Sequence, residues 1–307
     1  ILFHLSTVPN LKIASIFTNF VPLNAGNIGV LYFFFRSGYG LYQGKKYNWM
    51  TYFKKRFFKI IPALVITMIL TIVASWLIFN KIIFTQDGTI NLKTLLANAL
   101  GIQSLINEHS LNGATWFISV ILLFYLLFPT VYWLSKKGLI SLVPLSIITM
   151  VLFLFRGYHY YFMMFLCGIF AAKYQDKFPK PKYFRLFAVF MVIYASIYIY
   201  FVINYKFFFE EFVYITKLQM INDFLIILNS YYVISFAKFN AFIEKIFVII
   251  SNYSYYLFLV HWPITRFLNS INNVLIYTSL FIVITLLSCF IIKTIDGLTQ
   301  RVFLWKN

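Results

Sequence analysis

Acidic residues are scarce in this chain: eight Asp and Glu stand against 26 Lys and Arg, for a formal net charge of +18. Charged residues of both signs make up only 11% of the sequence, hydrophobic residues make up 62%, and mean hydropathy is +0.82. Ordinary soluble domains are about half apolar and a quarter charged, so this composition excludes one and requires lipid as the solvent. The basic excess must then gather in short loops, and no soluble basic domain exists to bind nucleic acid. Cysteine is nearly absent. Cys167 and Cys289 each sit inside an apolar run, which excludes a disulfide framework and indicates no metal site. The sequence also lacks a nucleophile elbow, a glycine-rich nucleotide loop, a metal-ligand cluster and serine-triad spacing. It shows no internal repeat, no low-complexity segment and no cleavable signal peptide.

What is present is a series of apolar runs. Runs of about 20 apolar residues cross a bilayer as helices, and ten are read here: 1–8, 28–42, 60–79, 115–134, 139–155, 158–172, 186–205, 220–237, 246–262 and 274–292. The first reads as the tail of a span whose beginning is missing. The expected fold is therefore all-α: a polytopic membrane bundle of about ten helices forming one domain over 1–307. A short amphipathic helix is expected at 92–106, in the longest loop. Lysine and arginine concentrate at 45–59, 135–138, 173–185 and 238–245. By the positive-inside rule those segments are cytoplasmic, both termini with them. This multi-pass topology in the cell membrane puts His4 near the outer end of the first span. The 22% aromatic content supplies material for interfacial belts.

Candidate functional residues concentrate between Asn27 and Pro62. Arg36 lies within an apolar span beside Ser37-Gly38-Tyr39-Gly40, and a cation in a membrane span marks a functional site by default. Gly38 and Gly40 permit close approach of a helix or ligand. Lys45, Lys46, Lys54, Lys55, Arg56 and Lys59 follow, interleaved with Trp49, Tyr52, Phe53 and Phe57. They read as an amphipathic interfacial stretch ahead of a span that begins at Ile60, with Pro62 in its first turn. Arg56 and Lys59, three apart, share a helical face. They suit phosphate oxygens, or they simply mark the cytoplasmic side. His4 could act as a neutral base. His261 sits near an expected helix break at Trp262-Pro263. Trp116 and Ser119 are further pocket candidates, and Asp223, Glu108 and His109 are isolated polar groups near the outer face.

The order of these segments resembles the membrane acyltransferase family 3 proteins, which O-acylate sugars and other acceptors. ILFHLS resembles the end of that family's first helix, and GVLYFFFRSGYGL its glycine-hydrophobic-FF-SGF/Y stretch. KKRFFKIIP is similar to its basic RxxR-isoleucine-x-proline segment, TWFISVILLFYLLFP to its WSLSVE-x-QFYLLFP stretch, and SNYSYYLFLVHWPI to its SYSLYL-x-H-x-P ending. The resemblance implies an O-acetyltransferase with no bound cofactor. Acetyl-CoA would be the donor substrate at the cytoplasmic face, and a polysaccharide or glycolipid the acceptor on the outer side, among membrane lipids. It implies that His4 is the catalytic base and that Arg56 and Lys59, with Lys55 beside them, hold the donor. Arg36 is offered as the oxyanion stabiliser. Two of the family's acids are replaced here, at Leu31 and Ile121, so no visible carboxylate orients His4. The reading from another class is a polytopic glycan or lipid transporter, or a polymerase-like channel, without acyl-CoA chemistry.

Overall fold

The computed structural model describes residues 25–44, 48–85, 88–137, 142–154, 158–177 and 239–304, with short pieces at 189, 193, 225–228 and 230–231. Among the described residues all regular structure is helical and no strand occurs. The α-helices are α1 (Ala25–Tyr42), α2 (Trp49–Phe79), α3 (Leu92–Ala99), α4 (Trp116–Ser135), α5 (Leu142–Leu154), α6 (His159–Lys173), α7 (Ala241–Phe267) and α8 (Val274–Leu304). Four of these, α2, α4, α7 and α8, are long and apolar enough to cross a membrane. Helices α1, α5 and α6 coincide with expected spans but have 18, 13 and 15 residues. The runs at 1–8 and 186–205, and most of 220–237, lie outside the described residues.

The chain divides into two compact units, one of residues 1–14, 47–129 and 241–307, the other of residues 15–46 and 130–240. In the first, α2 corrects the expected boundary at Ile60. Asn48 caps the helix by accepting the Thr51 N–H at 3.2 Å, and Lys54, Lys55, Arg56 and Lys59 lie in the opening turns of one 31-residue helix. At 1.5 Å per residue it is about 46 Å long, against a hydrocarbon core of about 30 Å. The charged turns can therefore stand in the headgroup region while the apolar remainder crosses. Pro62 deletes a single backbone hydrogen bond. It does not end a helix whose Ile60, Ile61, Ala63 and Leu64 are buried. The helix stops at Asn80, in the left-handed region at φ 53°.

The expected helix at 92–106 is also shorter than read. Asn91 caps α3 by accepting the Thr94 N–H at 2.7 Å, and the helix ends before Gly101, whose φ is +67°. A left-handed glycine just past the last turn is a common helix stop. The last helix runs past the expected span end at 292, since α8 continues to Leu304.

The break expected at Pro263 does not occur either; α7 runs through it to Phe267. A proline inside a helix leaves the carbonyl four residues earlier without its donor, and in lipid no water replaces that donor. Here Asn112 Nδ2 donates to the Leu259 carbonyl at 2.7 Å. Pro129 in α4 is compensated in the same way, with the Tyr52 hydroxyl donating to the Tyr125 carbonyl at 3.1 Å. Each repair ties one segment of the unit to another. Asn112→Leu is expected to leave the Leu259 carbonyl orphaned and cost about 1–3 kcal/mol. The check is a lowered unfolding midpoint in detergent, which an Asn112→Gln variant able to reach the same carbonyl would partly restore.

In the second unit, α1 and α6 meet backbone to backbone. A Cβ on Gly38 would lie 2.0 Å from the Phe165 carbonyl oxygen, and one on Gly168 would lie 1.9 Å from that of Phe35. Gly38 therefore serves the close helix approach that its small size allows. Gly40 faces open space, with nothing within 4 Å of a Cβ there. The Lys173 ammonium donates to the Ser135 carbonyl, and the Tyr42 and Tyr132 rings meet at 5.7 Å.

Candidate functional site

The basic turns of α2 carry the densest candidate chemistry. Arg56 is half-buried, with its guanidinium carbon 5.9 Å from the Tyr52 ring centroid and 5.5 Å from that of Tyr125. Tyr52 lies one helical turn before Arg56, and its ring contacts Trp49 and Phe128. The guanidinium is thus set on an aromatic platform from two helices, an arrangement that attracts a cation to the ring faces. Lys55 and Lys59 stand exposed beside it, four apart and so on one face. Among the described residues no carboxylate lies within ion-pair distance of Lys55, Arg56 or Lys59. Like charges three and four apart repel, so among the described residues this face carries an uncompensated positive charge.

Helix α7 is tied to α2 close to these basic turns. Tyr255 donates its hydroxyl to the Ile60 carbonyl at 2.8 Å, one residue beyond Lys59. His261, further along α7, is buried and directs Nδ1 at the Phe258 and Leu257 carbonyls, at 2.7 and 3.1 Å. With carbonyl oxygens as its partners, Nδ1 carries a proton. Trp262, the next residue, covers Gly113 and meets the Phe84 ring at 5.6 Å in a tilted contact.

Other candidates turn out to be engaged in holding structure. Ser119 is wholly buried and accepts the Ser104 N–H at 3.3 Å. Trp116 is half-buried at the start of α4, edge-on to Phe117. Glu108 pairs with Lys93 at 2.7 Å and accepts the Thr94 hydroxyl at 2.8 Å, and these bonds hold its carboxyl below the ordinary range. His109 hydrogen-bonds the Phe84 carbonyl through Nε2. Leu31 and Ile121, where the family has acids, are 0% and 1% exposed, so a carboxylate at either place would be buried.

In the second unit Arg36 is exposed, with its guanidinium carbon 5.3 Å from the Tyr39 ring centroid. Tyr39 donates its hydroxyl to Gln175 Oε1 at 3.0 Å and accepts from Gln43 Nε2 at 3.0 Å. Ser37 is half-buried on the same helix. His4, Lys45, Lys46 and Asp223 lie outside the described residues.

A cavity of about 510 Å³ opens between α2, α7 and α8, lined by Leu70, Val260, Ile264, Phe267, Ile284 and Ile291 among others. It has no titratable lining, so its walls suit hydrocarbon and carry no proton chemistry. The aromatic platform is half legible in the sequence: Tyr52 stands four residues before Arg56, but nothing in the sequence pairs Tyr125 with it. Asn112 and Asp296 do not stand out there as functional residues. For Asp296 a signal exists, an acid within reach of a span, which ending the last span at 292 sets aside.

The family model described as an acyltransferase domain matches residues 1–294. No curated protein and no solved structure matches the chain significantly. The family match takes in the platform on α2 and the His261 segment of α7, and four helices here have the length and apolarity to cross a membrane. The chain belongs to acyltransferase family 3 and is a membrane acyltransferase.

Proposed function

We propose that this protein is an O-acetyltransferase that moves an acetyl group from acetyl-CoA, bound at the basic turns of α2, to a hydroxyl of a cell-envelope or extracellular polysaccharide. The observation that carries the reading is the face of Lys55, Arg56 and Lys59, which has no carboxylate partner among the described residues and has its guanidinium set on Tyr52 and Tyr125. Coenzyme A presents a pyrophosphate and a further phosphate, and a guanidinium and ammonium groups bind such oxygens with charge-assisted hydrogen bonds. The positive-inside rule puts this face in the cytoplasm, where acetyl-CoA is found. The transport reading has no comparable support, since the family is one of acyltransferases.

In the proposed reaction the acceptor oxygen attacks the thioester carbonyl while His4 takes the hydroxyl proton. A tetrahedral oxyanion forms. Its collapse breaks the carbon–sulfur bond, and the departing thiolate receives the proton, giving the O-acetyl ester and free coenzyme A. General acid–base help and oxyanion stabilisation are the two contributions the protein has to make.

The test is equilibrium binding of acetyl-CoA to the purified protein. Arg56→Ala combined with Lys59→Ala is expected to weaken it by about 10-fold to 100-fold for each charge-assisted hydrogen bond removed. Unchanged affinity in a folded double variant would sink the donor assignment.

A further inference from the structure

Asp296 lies beyond the residues the family model matches and takes no part in the reaction proposed above. It is 0% exposed on α8. Its Oδ2 accepts the Tyr256 hydroxyl at 2.7 Å and Gln300 Nε2 at 2.8 Å, while Oδ1 is enclosed with no hydrogen-bond partner. A carboxyl in a membrane-spanning helix is costly and is kept where it has work to do. The neighbours on α7 indicate what that work is. Tyr255 and Tyr256 are consecutive, so their side chains leave the helix about 100° apart and reach two different partners. Tyr256 goes to Asp296, and Tyr255 goes to the Ile60 carbonyl of α2. Tyr253, one turn earlier, holds the Lys293 ammonium 3.7 Å from its ring centroid. The tyrosine pair therefore joins the α8 carboxyl to the α2 backbone just after Lys59. Ile60 lies one turn after Arg56 on α2, and the Arg56 guanidinium rests against Tyr125.

We propose that Asp296, acting through Tyr256 and Tyr255, is a positioning residue that sets the register of α7 against α2 and so holds the Arg56 platform ready for the acyl donor. The proposal rests on the reading of that platform as the acetyl-CoA site. Asp296 touches no substrate in this scheme. Its bond to Tyr256 fixes the rotation of α7, and that rotation decides whether Tyr255 reaches the Ile60 carbonyl.

The experiment compares Tyr256→Phe, Asp296→Asn, Asp296→Ala and Arg56→Ala in the full chain. It measures acetyl-CoA binding, the KM and kcat of acetyl transfer, and the unfolding midpoint. Tyr256→Phe and Asp296→Ala are expected to raise the KM for acetyl-CoA on the order of 10-fold, as for neighbours in one network, with kcat recovered at saturating donor. Asp296→Asn keeps an oxygen for both donors and is expected to stay near the parent KM. In an Arg56→Ala background Tyr256→Phe should add little, because the platform it positions has gone. A fall in kcat at unchanged KM, or a fully additive effect in the Arg56→Ala background, overturns the proposal. Loss of binding in Arg56→Ala with none in Tyr256→Phe overturns it while leaving the donor site standing. Unchanged binding in Arg56→Ala removes the donor reading and this inference together.

Discussion

Replacing Gly38 by alanine is expected to separate α1 from α6 and cost the second unit at or above the upper end of about 1–3 kcal/mol, the usual range for overpacking. The reason is the nature of the obstacle. A Cβ at Gly38 would meet the Phe165 carbonyl oxygen at 2.0 Å, its carbon at 3.0 Å and the Ile169 nitrogen at 3.3 Å. All three are backbone atoms of a helix, which cannot swing aside as a side chain can. Gly168→Ala should behave alike, because its Cβ would meet the Phe35 carbonyl oxygen at 1.9 Å and the Tyr39 nitrogen at 2.8 Å. Gly40→Ala provides the control from the same helix. With nothing within 4 Å of its Cβ, it should be neutral or gain up to about 1 kcal/mol of helix propensity. Unfolding midpoints in detergent, followed by circular dichroism, separate the three. Equal midpoints for Gly38→Ala and Gly40→Ala would rule out the close approach.

The second large effect is catalytic. His4→Ala is expected to lower acetyl transfer by about 10²–10⁴-fold, the usual contribution of a positioned acid–base group, while acetyl-CoA affinity and membrane insertion stay at parent levels. This pattern, loss of kcat without loss of donor binding, is the reverse of that expected for Arg56→Ala with Lys59→Ala, so one set of assays distinguishes base from donor ligand. Normal transfer by His4→Ala would remove the histidine from the mechanism. Arg36→Ala in the same assay decides the oxyanion assignment. A kcat loss comparable with that of His4→Ala keeps it, and parent turnover leaves Arg36 with its contact to Tyr39.

The donor face is the most legible part of the site. Lys55, Arg56 and Lys59 are identifiable from residue type, and their common face follows from helical spacing alone. Their aromatic setting is not legible, because Tyr125 reaches Arg56 from another helix, 69 positions along the chain by number. Proline misleads for a related reason. By itself it predicts a break at 263 and a helix start near 62, since sequence shows the missing N–H but not the group that compensates for it. Asn112 and Tyr52 carry out that compensation in α7 and α4. The basic run before Ile60 reads as a separate interfacial segment because charge usually marks the end of a span. A helix of about 46 Å accommodates both the charge and the crossing.

What the sequence determined by itself is the solvent and the class. Eight acids in 307 residues and 62% hydrophobic content call for lipid, and continuous apolar runs of this length satisfy their backbone groups there as helices rather than as a barrel of alternating strands. The order of five short segments points to the family, because such motifs are local and survive without knowledge of contacts. What only the tertiary structure decided is which local signals are used for chemistry and which for packing. Gly38 serves a helix contact and Gly40 does not; Ser119 and Glu108 are engaged by neighbouring groups; Asp296 is tied through a tyrosine pair to the α2 backbone. Each of these contacts joins residues 15 or more positions apart, placed by packing that no periodicity encodes.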